Sequence, residues 1–274
     1  MKNRSIDPLH GAVFVFMGIL AILFLVPLIW TVRTAFVSAG EALNITTLPV
    51  PTLDNFRRVW SAAPFGRYYA NTILMTTGIL IVQFVSITMA GYAFARIDFY
   101  GSKVLFILML SQLMITPDVL ILPVYRLMGT LSLTNTRIGI MLPFFASAMG
   151  SFFIRQTIKT IPYELEEAAK ADGCPLPQML FQIYVPLLKP AYIAFGFISA
   201  SYQWNNFLWP LVMINSVEKR PLTLGLAIFA MSYETGAQWS DVCAATLLVS
   251  APLLLAFLIF SKEFTESMAH TGIK

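Results

Sequence analysis

Charge is scarce in this chain, and so are the side chains most enzymes rely on. Only 12% of its 274 residues are charged, against about a quarter in a soluble globular domain. There are two histidines and two cysteines. His10 and His270 lie near the two ends, and Cys174 and Cys243 stand far apart, so no metal spacing and no disulfide framework is visible. A Gly-x-x-x-x-Gly-Lys-Ser/Thr phosphate loop is missing, which argues against ATP hydrolysis by this chain. Paired carboxylates are missing from the apolar runs, which leaves little to support a membrane-embedded enzyme. The net charge is a modest +4 and the basic residues are scattered, so nucleic acid is not an expected partner. We find no internal repeat and no low-complexity segment.

Apolar residues are abundant instead. They make up 57% of the chain, with a mean hydropathy of +0.73. One water-soluble core cannot bury so many, so lipid must be the solvent for much of the surface. The expected fold class is all-α integral membrane, with six transmembrane helices at about 10–30, 68–95, 104–127, 137–158, 189–214 and 241–260. The first run is too long for a signal-peptide core and reads as a retained span. Residues 33–67 read as an outside loop holding a short helix around Leu53 to Trp60, and 215–240 as a second outside loop. Six spans put both ends on one face. About ten Lys and Arg fall on that face and about eight on the other, so the positive-inside rule votes only weakly.

The longest polar interruption is Pro162 to Pro186. Pro162 suits a helix start, and Glu164, Glu166 and Glu167 cluster at what would be the positive end of a helix running to Ala171. Gly173, Pro175 and Pro177 stop it. A helical pattern resumes from Met179 to Val185. A short helix, a glycine break and a second helix between two spans look like a docking element for a soluble partner.

This stretch resembles a known signature. Glu167-Ala168-Ala169, three residues, Gly173, nine residues, then Ile183, Val185 and Pro186 matches the EAA loop of binding-protein-dependent ABC importer permeases. Further pieces follow in order: Asn71-Thr72, Ala90-Gly-Tyr-Ala-Phe-Ala-Arg96, Pro117 and Pro123, Leu131-Ser-Leu-Thr-Asn-Thr136, and Trp204-Asn205. Together they are similar to the MalG-type subunit of carbohydrate importers, over about Tyr68 to Pro210. The resemblance implies a MetI-like permease fold in a single domain over 1–274. It implies a bacterial inner-membrane location, with both termini and the 162–186 loop in the cytoplasm. It implies a second, MalF-type permease subunit, two copies of a cytoplasmic ATPase that hold ATP and Mg, and a periplasmic or lipid-anchored solute-binding protein. The chain itself would bind no cofactor. Glu164, Glu167, Ala168, Ala169, Asp172, Gly173, Ile183 and Pro186 are the expected ATPase-coupling residues. Family members also set the C-terminal tail against the ATPase pair, and Glu266 to Lys274 occupies that position here.

Two places in the spans are candidates for the substrate path. Pro117 and Pro123 interrupt span three beside Asp118, and an ionisable residue within a span is a site hypothesis by default. Asp118 also reads as an interface residue meeting water or Arg126. Gln112, six residues earlier, falls on a roughly opposite helical face. Span five carries Tyr202-Gln203-Trp204-Asn205-Asn206-Phe207-Leu208-Trp209-Pro210. Gln203, Asn205 and Asn206 offer donors and acceptors, and Trp204 a flat apolar face, which together suit a sugar. The same residues also read as interface anchors and interhelical glue, a reading that weighs more for Trp209. Some relatives of this branch carry glycerol phosphate, and Trp204 to Pro210 with Thr235 to Trp239 looks somewhat like them. An anionic small solute is therefore an alternative cargo, and a self-sufficient secondary transporter relying on Asp118 is a further alternative.

Overall fold

The computed structural model describes residues 8–42, 51–233 and 238–272, with side chains left out at 8–12, 39, 233 and 260–272. Lys2, Arg4, Pro49, Thr235 and the side chains of the C-terminal tail therefore lie outside the described residues. Every regular element among the described residues is helical.

In chain order the α-helices are α1 (Pro8–Ala35), α2 (Asp54–Ala62), α3 (Phe65–Arg96), α4 (Ser102–Ser111), α5 (Ile121–Thr130), α6 (Arg137–Met141) and α7 (Ala148–Thr160). Then come α8 (Glu164–Ala171), α9 (Leu176–Met179), α10 (Val185–Leu187), α11 (Lys189–Asn205), α12 (Leu208–Met213), α13 (Leu222–Tyr233) and α14 (Trp239–Gly272). Among the described residues, three segments are long and apolar enough to cross a membrane alone: Val13–Ala35, Phe65–Arg96 and Trp239–Ile259. The other three expected spans are bent helix pairs, so the total reaches six when each pair counts as one crossing.

The bends have local causes. Ser102–Met114 and Pro117–Thr130 meet at 97°. Pro117 lacks an N–H and forces Thr116 into an extended conformation, so the ladder stops there. Pro123 does not add a second break. It sits in the first turn of α5, where its missing N–H is not needed. Leu176–Leu187 and Lys189–Asn205 meet at 78°, with Pro186 and Pro190 flanking the corner at Leu188. Span five therefore ends at Asn205 rather than near Ile214, and 208–213 form a separate helix. The second outside loop is also more ordered than its sequence suggests, because it holds α13.

The chain divides into two compact units. One comprises 1–64 with 226–252. In it, α1 exposes Phe14, Phe16 and Phe24 along an apolar surface, as a lipid-facing helix must. The buried Asn55 amide donates to the carbonyls of Ala35 (2.7 Å) and Val37 (2.8 Å), which fixes α2 to the chain leaving α1. Arg58 donates two hydrogen bonds to the buried Asp241 carboxylate, at 2.7 and 3.2 Å.

The other unit comprises 65–225 with 253–274. Its spine is α3 packed on α7. The approach is close because glycines sit at the crossing. A Cβ on Gly91 would lie 2.7 Å from Ile154 Cγ2 of α7, and one on Gly150 would lie 2.8 Å from Ile87 Cγ2 of α3. At one end of α3, the Asn71 amide donates to the carbonyls of Glu218 (2.8 Å) and Arg220 (2.9 Å), and Thr72 Oγ1 accepts from Leu222 N (2.7 Å). The Asn135 side chain accepts from the backbone N–H groups of Asn215 and Ser216. Asn71, Thr72 and Asn135 thus clamp the 215–222 segment across the ends of α3 and α6. The other end of α3 carries Tyr92 and Arg96 and receives the docking stretch.

Candidate functional site

The helix α8 forms where its local signals predict it. Its first turn holds three glutamates at the positive end of the helix dipole, and Lys170 lies in its last turn. It closes at Gly173, whose φ of +73° only glycine adopts without strain. The chain then turns through Pro175 into α9, a π-helical turn at Leu180–Tyr184, and α10.

The two faces of α8 differ sharply. Glu164, Leu165, Glu167, Ala168 and Asp172 are exposed, whereas Glu166 and Ala169 are buried. Ala169 packs in a core with Tyr92, Ile158, Met179 and Tyr184. Gly173 and Pro186 are exposed, and Ile183 packs at the margin of the same core. Of the expected coupling residues, Glu164, Glu167, Ala168 and Asp172 therefore share an exposed, carboxylate-rich surface of α8. Ala169 lies on its underside, which is buried and bolted down, and Gly173, Ile183 and Pro186 fall beyond the helix.

The bolt is Glu166, which sequence reasoning did not single out. Its side chain is only 1% exposed. Tyr92 Oη donates to Oε1 at 2.8 Å, and Tyr184 Oη donates to Oε2 at 2.6 Å. Lys170 Nζ lies 2.8 Å from Oε1, and Arg96 Nε lies 3.5 Å from Oε2. Arg96 in turn donates to Tyr184 Oη and to the carbonyls of Ile158 and Ile161. Its guanidinium stands over the Tyr163 ring at 5.3 Å. Burial pushes the Glu166 carboxyl up, but the hydrogen bonds from Lys170, Tyr184 and Tyr92 outweigh it and hold the group below the usual carboxylate range. One carboxylate thus joins α8 to the end of α3, to the end of α7 and to the π-helical turn. No single signal marks it, because three glutamates crowd one turn. Its spacing from Ala169, three residues on, is the only hint of a shared buried face.

The second region is a cavity of about 460 Å³ within the α3–α12 portion of the chain. Asp118, Gln203 and Asn206 line it, as do Gln112, Tyr202 and Trp209. Trp204 and Asn205 are not among its lining residues, and the Asn205 amide donates to its own helix at Ser201 O. Gln112 and Asp118 share this cavity despite their six-residue separation, because the 97° bend between them cancels the helical offset. No ion pair between Asp118 and Arg126 exists among the described residues. Trp209 is buried, and its indole N–H donates to Ile140 O at 3.2 Å, so it presents only ring surface. Among the described residues no cluster of three His, Cys, Asp or Glu could hold a metal ion.

The comparisons with known proteins bear on the family and the fold. Residues 84–262 match the family of binding-protein-dependent transport system inner membrane components. The chain belongs to this family. An arabinooligosaccharide transport system permease from Halalkalibacterium halodurans is 30% identical over 100% of both chains. A lactose transport system permease from Rhizobium radiobacter is 31% identical, with 92% of each chain covered. An sn-glycerol-3-phosphate transport system permease from Pectobacterium atrosepticum is 29% identical over 99% of both. A crystal structure of a bacterial ABC transporter involved in the import of the acidic polysaccharide alginate contains a chain with a TM-score of 0.85 and 25% identity. That match covers 96% of this chain and 99% of the other. This permease is thus an inner membrane component with the fold of an ABC importer permease and the sequence of the MalG-type carbohydrate branch. It is a non-catalytic subunit, and ATP hydrolysis falls to a partner.

Proposed function

We propose that this permease forms half of the translocation path of an ATP-driven importer for a sugar or sugar derivative, and that α8 couples it to the ATPase. A MalF-type permease supplies the other half. Two copies of a cytoplasmic ATPase hold ATP and Mg, and a periplasmic or lipid-anchored binding protein delivers the solute. Both termini and residues 162–186 face the cytoplasm. Glu164, Glu167, Ala168 and Asp172 are the contact surface for the ATPase, Ala169 and Ile183 seat the helix, and Gly173 and Pro186 shape the turn. Asp118, Gln203 and Asn206 face the solute, and Trp204 and Asn205 belong to the same helical segment. The permeases that resemble it carry oligosaccharides, lactose and glycerol phosphate by name.

The observation that carries this reading is the two-faced α8. Its carboxylate-rich surface is free for a partner, while its underside is fixed to α3 and α7 through Glu166. A helix so mounted moves with those spans when it is pushed. Nucleotide binding then stabilises one of two packings of the spans, with α8 as the mechanical link. Mild-detergent purification of the tagged chain from its native membrane, followed by mass spectrometry, tests the assembly. An ATPase and a second permease are expected. Isolation of the chain alone, active without ATP, contradicts the importer and supports a secondary transporter.

A further inference from the structure

We infer that the cavity lined by Asp118 is a saccharide-contacting site that selects against anionic solutes, so that the cargo is a neutral or cationic sugar. This rests on the importer reading above and adds the charge class of the solute.

Some polar groups around the cavity are already occupied. The Gln83 amide is held inside the protein: Nε2 donates to Phe144 O at 2.7 Å, and Oε1 accepts from Ser199 Oγ at 2.6 Å. The Trp209 indole N–H is engaged with Ile140 O. These groups hold the wall in place. By contrast, the side chains of Gln112, Gln203, Asn206, Tyr202 and Asp118 line the cavity and make no hydrogen bond or salt bridge to any described residue. Three amides, a phenol and a carboxylate therefore converge on a space of about 460 Å³, within the ~300–1,000 Å³ usual for small-molecule sites. Amides and a carboxylate accept and donate as sugar hydroxyls require, and the Trp209 and Tyr202 rings offer apolar faces for the C–H surface.

The charge of this wall is one-signed. Asp118 is the ionisable carboxylic acid among the lining residues, and no Lys, Arg or His accompanies it. A phosphate or uronate would find no cation here. A monoanion within about 6 Å of one carboxylate, at an effective dielectric of about 20–40, is disfavoured roughly ten- to one-hundred-fold. Neutral hydroxyls face no such penalty. On this inference the solute differs in charge from the glycerol phosphate and alginate that relatives' names give. The resemblance in fold therefore does not carry their solute charge with it.

The test uses the whole co-purified importer in nanodiscs, with Cys174→Ser and Cys243→Ser and a reporter thiol at Gln203→Cys or, separately, Asn206→Cys. Trimethylammonium-ethyl and sulfonatoethyl methanethiosulfonates are the cationic and anionic probes, each rate being divided by that reagent's rate with free mercaptoethanol. The cationic probe is expected to react about ten-fold faster or more at either position. Asp118→Asn is expected to bring the ratio close to one while Asp118→Glu retains it. Equal rates in the parent, or a bias that Asp118→Asn leaves intact, overturn the inference. ATP hydrolysis stimulated by the binding protein is measured on the same nanodiscs. Its absence tells against the importer reading itself, whereas its presence with equal probe rates removes only the charge selection.

Discussion

Removing the Glu166 carboxylate should loosen α8 without unfolding the spans. In Glu166→Ala the hydroxyls of Tyr92 and Tyr184 lose their acceptor in a pocket that is almost closed to water. A buried polar group left without its partner costs about 1–3 kcal/mol, so the pair costs about 2–6 kcal/mol. Arg96 keeps its bonds to the Ile158 and Ile161 carbonyls, so α3 and α7 stay joined there. The loss falls on the attachment of α8 and the π-helical turn. Hydrogen exchange read by mass spectrometry on the purified importer measures this. Protection of peptides covering 160–172 should fall at least about 30-fold, the equivalent of ~2 kcal/mol, while peptides from the middle of α3 hold theirs. Glu166→Gln keeps one acceptor oxygen and the shape, and should lose less. ATP hydrolysis should continue in Glu166→Ala with weakened stimulation by the binding protein. Unchanged protection of 160–172 in an assembled Glu166→Ala importer would refute the reasoning.

The remaining predictions concern charge and pH. Glu167→Lys reverses the charge on the exposed face of α8 and should abolish uptake while solute binding to the isolated binding protein is unaffected; normal uptake would count against docking. Asp241→Ala removes the acceptor of the Arg58 fork. Because the Arg58 side chain is 45% exposed and can rehydrate, the cost should be about 1–3 kcal/mol rather than the larger penalty of a fully buried orphan charge, seen as a drop of a few degrees in Tm. Since the Glu166 carboxyl is held below its ordinary value, its contribution is complete above the unfolded value of about 4.3 and is lost as pH falls through the lower folded value. Exchange protection of α8 should therefore be flat between pH 5 and 8 and weaken only under strong acid.

Local signals were legible in the sequence and long-range ones were not. The bounds of α8 follow from neighbours in sequence: glutamates at one end, Lys170 and Gly173 at the other. Pro117 marked the break in span three, because a missing N–H is a local fact, whereas the corner at Leu188 before span five was not read from the sequence. The angles at those breaks depend on tertiary packing, and only the 97° turn brings Gln112 beside Asp118. α13 read as loop because its 12 residues are too few to span a bilayer. Asn71, Thr72 and Asn135 stood out within motif pieces, yet their roles as clamps on the 215–222 segment involve partners about 80 to 150 residues away. Glu166 was hidden for the same reason. Its partners Tyr92 and Arg96 lie on another helix, and its neighbours Glu164 and Glu167 look alike in sequence but face outward.

The most direct measurement of the central claim is photocrosslinking from α8. A p-benzoylphenylalanine placed at Ala168, on the exposed face, is activated in native membranes, with Leu131 in the opposite turn as the control position. The account predicts a crosslink from Ala168 to a cytoplasmic ATPase, changed in yield by ATP, and none to it from Leu131. An Ala168 probe that captures only lipid or this chain, in membranes where the importer is active, would contradict it.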